Sequence, residues 1–316
     1  MKIRSIFKLV ASTALLALLL WFIGPSRVMA SFSRADPGWL GAGFVASLAA
    51  SLLSALRWHA LACWLGMPVP RARMILAYWR GVMANTVLPG ATLGGDALRS
   101  LHLKEQGHSL SRAAASVVLD RLSGLWMLVS ISLAMTVAAL SSGLLPETTL
   151  SLSLVAAVVL TLVALAAPAV VLWLSGRMLN LFPLALGSKV RPMAAALGVL
   201  SVRAMLLHMY GKQMLWSGSV QLFSILAFAC GGYAIGLDLP WWQFVIAAGP
   251  IFAFAALPVG VGGWGTREAA AAVVLGAFAV PHEAAVACAI LYGLFATLQG
   301  LLGALSLFLS KGKSHG

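Results

Sequence analysis

Apolar runs long enough to cross a bilayer recur near 5–24, 39–65, 113–140, 149–175, 214–236 and 284–309. A backbone buried in hydrocarbon must pair its own N–H and C=O groups, and the Leu, Ala and Val content of these runs points to helices. The expected fold class is therefore all-α polytopic membrane protein with six full spans. Composition agrees: 61% of the 316 residues are hydrophobic and 9% charged, against roughly 45–50% and about 25% in a soluble domain. The basic excess, 21 Lys plus Arg over 8 Asp plus Glu, sits between apolar runs, where it sets topology and does not form a nucleic-acid surface. Cys63, Cys230 and Cys288 lie far apart in apolar segments and imply neither a disulfide framework nor a metal site.

Two further apolar stretches, about 74–104 and 241–280, are interrupted in the middle by Leu88–Pro89–Gly90 through Arg99 and by Leu257–Pro258 through Glu268. At about 1.5 Å per residue each piece is too short to span. Each stretch reads as a re-entrant pair of half-helices, the alternative being an ordinary kinked span. Charge placement favours re-entrance. With the amino terminus inside, Lys2, Arg71, Arg73, Lys104, Arg112, Arg177, Lys189 and Lys311 are cytoplasmic, and only Arg27 and Arg34 face outward. A single full crossing at either stretch would move every later basic cluster to the other side. Both termini are expected in the cytoplasm of a multi-pass cell-membrane protein. Lys2, Arg4 and Lys8 before an apolar run, with Val28–Met29–Ala30 after it, resemble a signal peptide; an uncleaved first helix is favoured.

The two interruptions repeat one pattern. Leu88–Pro89 aligns with Leu257–Pro258, Gly94, Gly95 and Arg99 with Gly262, Gly263 and Arg267, and Gly124–Leu125 with Gly293–Leu294, at a spacing constant to one residue. Span, broken pair, span is the order in both halves, and the topology above makes them inverted repeats, a transporter signature. The division is 1–37 first helix and outer loop, 38–145 repeat 1, 146–213 connecting span and interfacial linker, and 214–310 repeat 2. The part of that linker over 176–213 is the least apolar stretch and reads as lying on the inner leaflet.

A helix broken in mid-membrane offers freed N–H groups and a positive dipole end to an anion, at a cost unless it lines a cavity. Tight packing alone is the alternative reading of the glycines. The second half-helices are expected to start near Gly95 and Gly265, placing Arg99 and Arg267 within about the first turn. Arg57, Asp96, Arg99, Asp120, Arg121, Arg267 and Glu268 all lie in or beside apolar runs, where each costs about 2.5–3.5 kcal/mol unless paired or hydrated. Arg99, Arg121 and Arg267 form the expected cationic cleft for phosphate. Asp96, Asp120 and Glu268 would pair with them or meet a cationic part of the ligand, with Gly94, Gly95, Gly262 and Gly263 shaping the openings. Arg57 reads as an interfacial anchor. Arg80 and Asn85 either line the cytoplasmic mouth or snorkel.

Gly260–Val261–Gly262–Gly263–Trp264–Gly265 formally fits G-x-G-x-x-G but follows no strand, so it is no nucleotide fingerprint. The histidines show no metal spacing, and no nucleophile elbow or Walker sequence occurs. No cofactor and no metal are expected.

Pro89–Gly90, Gly94–Gly95–Asp96 with Arg99, Gly107 with Ser109, Asp120–Arg121 with Gly124, and Pro258 through Arg267–Glu268 resemble the transmembrane region of lysylphosphatidylglycerol synthase and its stand-alone flippase-like relatives, from about residue 5 to 309. At Gly90–Ala91–Thr92–Leu93 relatives often have a second glycine. The resemblance implies lipid translocation between leaflets, best established for aminoacylated phosphatidylglycerol made by a fused synthase domain. The chain ends at Gly316 after its last helix, so no aminoacyl transferase and no enzyme activity are expected; stand-alone relatives are associated with hopanoid, glycolipid and isoprenoid-linked sugar pathways. The expectation is a flippase-like transporter of a phospholipid or other polar-headgroup lipid, with Arg99 and Arg267 holding phosphate in turn and a membrane lipid as substrate. The alternatives are a non-transporting accessory subunit of a lipid- or glycan-modifying enzyme, and an intramembrane enzyme using Asp96 or Glu268 as acid/base. A lipid-modifying enzyme or a second copy of the chain are the partners left open; nucleic acid is excluded.

Overall fold

The computed structural model describes residues 17–18, 21, 24–33, 35–87, 92–145, 153–181, 203–257 and 262–311. Among them the secondary structure is helical: α1 (Pro25–Phe32), α2 (Pro37–Trp64), α3 (Arg71–Val87), α4 (Thr92–Glu105), α5 (Leu110–Ser141), α6 (Leu154–Leu181), α7 (Arg203–Ala234), α8 (Trp241–Ala256), α9 (Thr266–Gly276) and α10 (His282–Lys311). Local chemistry fixes several ends. Asp36 caps α2, its Oδ1 accepting from the Gly38 and Trp39 N–H groups at 2.7 and 3.1 Å, with Pro37 in the first turn.

Among the described residues four helices have the length and apolarity to cross a membrane: α2, α5, His208–Ala234 of α7 and His282–Ala304 of α10. They correspond to four of the six expected spans. The expected span over 149–175 falls on α6, whose apolar part is described over Leu154–Ala167. The run at 5–24 lies largely outside the described residues, as do Pro89, Gly90, Pro258, Gly260 and the 182–202 part of the expected linker. Large apolar side chains face outward, among them Leu215, Leu222, Val273 and Leu301, as lipid contact requires.

Both interrupted stretches fold back on themselves. Arg73 Nη1 donates to Gln106 Oε1 at 2.8 Å, and the Gly95 N–H donates to Asn85 Oδ1 at 2.9 Å. A Cβ on Gly81 would lie 3.0 Å from Arg99 Cγ. Partners that descend along α3 as they rise along α4 define an antiparallel hairpin. A Cβ on Gly95 would overlap the Gly81 carbonyl oxygen, so glycine is what lets the two helices cross this closely. In α8 and α9 the same order appears, from Ala255 against Gly263 at the turn to Trp242 against Phe278 at the open end. Gly262, Gly263 and Gly265 have φ of +59°, +78° and +84°, a left-handed turn that only glycine adopts without strain.

Helices α2 and α7 also run antiparallel. The Asp36 N–H donates to the Ala234 carbonyl, Trp39 packs on Tyr233, Gly43 on Cys230, and Arg57 reaches Ser217. Each then leads from its carboxyl-terminal end into a hairpin. One buried cluster joins α2 to α3, α4 and α5 through Trp58, Met67, Met74 and Leu103. A second joins α7 to α8, α9 and α10, centred on Phe228, which meets Phe244, Phe252 and Tyr292 edge-on at 5.5–5.9 Å. The substantial helix contacts map onto themselves when α1 to α5 are exchanged, in order, for α6 to α10. Thus α3 against α10 is matched by α8 against α5, and α6 against α5 by α1 against α10.

Candidate functional site

Helices from both clusters line an open cavity of about 490 Å³. Its charged lining residues are Arg57, Arg99, Asp120, Arg121 and Arg267; Asn85, Gln221, Tyr78 and Tyr292 add neutral polar groups, and Gly262 contributes at the second turn. Arg99 and Arg267, aligned by the sequence repeat, thus reach one cavity from the two hairpins.

Asp120 organises the first side. On α5 and 2% exposed, it accepts from Arg57 Nε at 2.8 Å on Oδ1 and from Arg99 Nη2 at 2.6 Å on Oδ2. Its main-chain carbonyl accepts from Arg57 Nη2 at 3.0 Å, and Arg57 Nη1 donates to Ser217 of α7 at 3.3 Å. A buried charge needs such saturation, because low permittivity makes an unpaired one expensive. The Arg99 guanidinium is further held over the rings of Trp58 and Tyr78, at 4.2 and 4.8 Å. Its Nε is buried without a hydrogen-bond partner among the described residues. Beside this group, Asp96 takes Arg121 by both oxygens, at 2.6 and 3.0 Å, a two-pronged match of guanidinium to carboxylate.

The second side is simpler. Glu268 is fully buried, accepts from Arg267 Nε and Nη2 on Oε1 at 2.9 and 2.5 Å, and takes the Gly265 N–H on Oε2 at 2.6 Å. One carboxylate thereby caps α9 and fixes the arginine of its first turn. The Arg267 guanidinium lies 4.8 Å from the Trp264 ring centroid and 6.0 Å from that of Tyr292. The aligned glycines of α5 and α10 seat these cations. A Cβ at Gly124 would stand 3.2 Å from Arg57 Nη1, and one at Gly293 would overlap Arg267 Nη2.

Several expectations change. Arg57 is no interfacial anchor: it is 4% exposed and bound to Asp120 on the cavity wall. Helix α4 begins at Thr92, ahead of Gly95, so Arg99 lies about two turns into the helix; Arg267 does sit in the first turn of α9. Asp96 stands 3.6 Å from Arg99, but its close partner is Arg121. Asp96 and Glu268 are absent from the cavity lining, but each accepts from an arginine that is part of it. Gly95 and Gly263 pack against neighbouring backbone, Gly94 is half-buried on α4, and Asn85 both lines the cavity and ties α3 to α4. Among the described residues no three His, Cys, Asp or Glu side chains group as metal ligands.

Comparison with known proteins agrees with this architecture. The family model described as the lysylphosphatidylglycerol synthase TM region matches residues 5–303. A UPF0104 membrane protein of Pyrococcus horikoshii is 26% identical over 116 residues, which cover 36% of this chain and 35% of that relative. With a family model matching most of its length, the chain belongs to the lysylphosphatidylglycerol synthase transmembrane-region family.

Proposed function

We propose that the protein is a lipid transporter that carries a polar headgroup through the Arg99–Arg267 cavity while the acyl chains stay in the surrounding bilayer. The observation that carries this reading is the convergence of the two repeated arginines on one cavity between the halves. Phosphate suits such a site, since guanidinium offers planar paired donors. The outward apolar faces give the tails a path that needs no protein enclosure.

In this reading the protein is two inverted repeats, α1 to α5 and α6 to α10, each larger by one helix than the sequence division. The symmetric contact pattern supports the repeat. The antiparallel α2 and α7, each followed by a hairpin at its carboxyl-terminal end, support the inversion. The folded-back pairs favour re-entrance, since α3, α4, α8 and α9 have 17, 14, 16 and 11 residues; at about 1.5 Å per residue none exceeds a hydrocarbon core of about 30 Å. Rocking of one half against the other would expose the cavity to each leaflet in turn. Both termini would then be cytoplasmic and the protein would reside in the cell membrane.

Leaflet translocation of a fluorescent phospholipid in liposomes holding the purified protein tests the proposal. Accelerated translocation over protein-free liposomes is expected; a rate equal to that of protein-free liposomes for every phospholipid headgroup tried would overturn it.

A further inference from the structure

The ion pairs around the cavity also bear on which headgroup it accepts. Four arginines face it, Arg57, Arg99, Arg121 and Arg267, with Asp120 the one carboxylate among its lining residues. Asp96 and Glu268, outside that lining, pair with Arg121 and Arg267. Every oxygen of the three carboxylates is engaged. Asp120 gives one oxygen to Arg57 and one to Arg99, Asp96 gives both to Arg121, and Glu268 divides its pair between Arg267 and the Gly265 N–H. Four guanidinium charges against three carboxylates leave this group with a surplus of one positive charge.

An entering ammonium would therefore find no carboxylate to receive it without first displacing an arginine, and it would be repelled by the surplus positive charge of a cluster in which Arg57, Arg99 and Arg267 are buried. A phosphodiester meets the opposite situation. Its single negative charge matches the surplus, and the Arg99 Nε is a buried donor without a partner among the described residues. Neutral wall groups, Ser54, Asn85, Gln221, Ser224, Tyr78 and Tyr292, can serve hydroxyls.

We infer that the cavity selects a lipid headgroup with one phosphodiester charge and a neutral, hydroxyl-bearing remainder, and rejects headgroups that carry an ammonium. The inference rests on the transport reading for its setting. It departs from the aminoacylated lipid that the family resemblance suggests, because lysyl-phosphatidylglycerol brings two ammonium groups to one phosphate.

The test uses two measurements on the purified full-length protein. Binding of short-chain phosphatidylglycerol, phosphatidylethanolamine and lysyl-phosphatidylglycerol in detergent is followed by the shift in melting temperature. Translocation of the three labelled lipids is followed in liposomes. Phosphatidylglycerol should bind at least about tenfold more tightly than lysyl-phosphatidylglycerol and be moved correspondingly faster, with phosphatidylethanolamine between them. Arg121→Gln, at the exposed edge of the cluster, should reduce that preference several-fold without loss of folded protein. Equal or inverted binding, no binding of any of the three, or an Arg121→Gln protein with unaltered preference would overturn the inference. Selective binding without translocation of any lipid would uphold it and overturn the transport reading instead.

Discussion

Arg57 and Asp120 are joined twice, side chain to side chain at 2.8 Å and guanidinium to main-chain carbonyl at 3.0 Å. The pair ties α2 to α5 at the point where Asp120 also reaches Arg99 on α4, so one carboxylate fastens three helices.

Replacing Asp120 by Ala strands two buried guanidinium groups. Removing one partner of a buried ion pair costs about 3–5 kcal/mol. Thermal unfolding in detergent should show a lower midpoint for Asp120→Ala; an unchanged midpoint would mean the network is not what fastens these helices.

Gly124 and Gly293 should respond unequally to alanine. At Gly293 the added methyl overlaps the Arg267 guanidinium, whereas at Gly124 the nearest arginine nitrogen is 3.2 Å away and can yield. Gly293→Ala is expected to slow translocation far more than Gly124→Ala at similar amounts of folded protein. Equal effects would contradict the seating of Arg267 on α10.

Gly95→Ala meets the Gly81 carbonyl, a backbone atom that cannot rotate aside. Overpacking of this kind costs about 1–3 kcal/mol. A fall in melting temperature together with greater proteolytic access to α3 and α4 is expected, and wild-type behaviour in both would count against the close helix crossing.

The hairpins also make a topological prediction. Arg71 opens α3 and Trp241 opens α8, and both are exposed. With Cys63 replaced by Ser, single cysteines at 71 and 241 should react with an impermeant maleimide from opposite faces of the membrane. Labelling from the same face would rule out inverted repeats.

Much of this could be read from the residues. Leu-Pro followed by paired glycines announces a broken helix wherever hydrophobicity would otherwise continue it; in the described residues α3 ends at Val87 with α4 beginning at Thr92, and α8 ends at Ala256 with α9 beginning at Thr266, although Gly94 and Gly95 fall inside α4. Repetition then pointed to Arg99 and Arg267 together. Arg57 was missed because a single arginine near a span end looks like an interfacial anchor. The signal lay in Asp120, a carboxylate inside another span that one neighbouring arginine does not satisfy. Nor could spacing separate Asp96 from Asp120 as the partner of Arg99: Asp96 shares a helix face with it, yet α5 brings Asp120 to 2.6 Å. Local periodicity gives which side chains share a face, whereas the packing of α4 on α5 decides which pair forms.

In the proposed function lipid headgroups cross through the cavity that Arg99 and Arg267 both line. The most direct measurement of that crossing is the rate at which labelled phosphatidylglycerol changes leaflet in liposomes carrying wild-type protein or Arg267→Ala, with folded protein verified by gel filtration. Rapid exchange with wild type and a loss of about tenfold or more with the variant is the expected result. Identical rates for the two proteins would contradict the account.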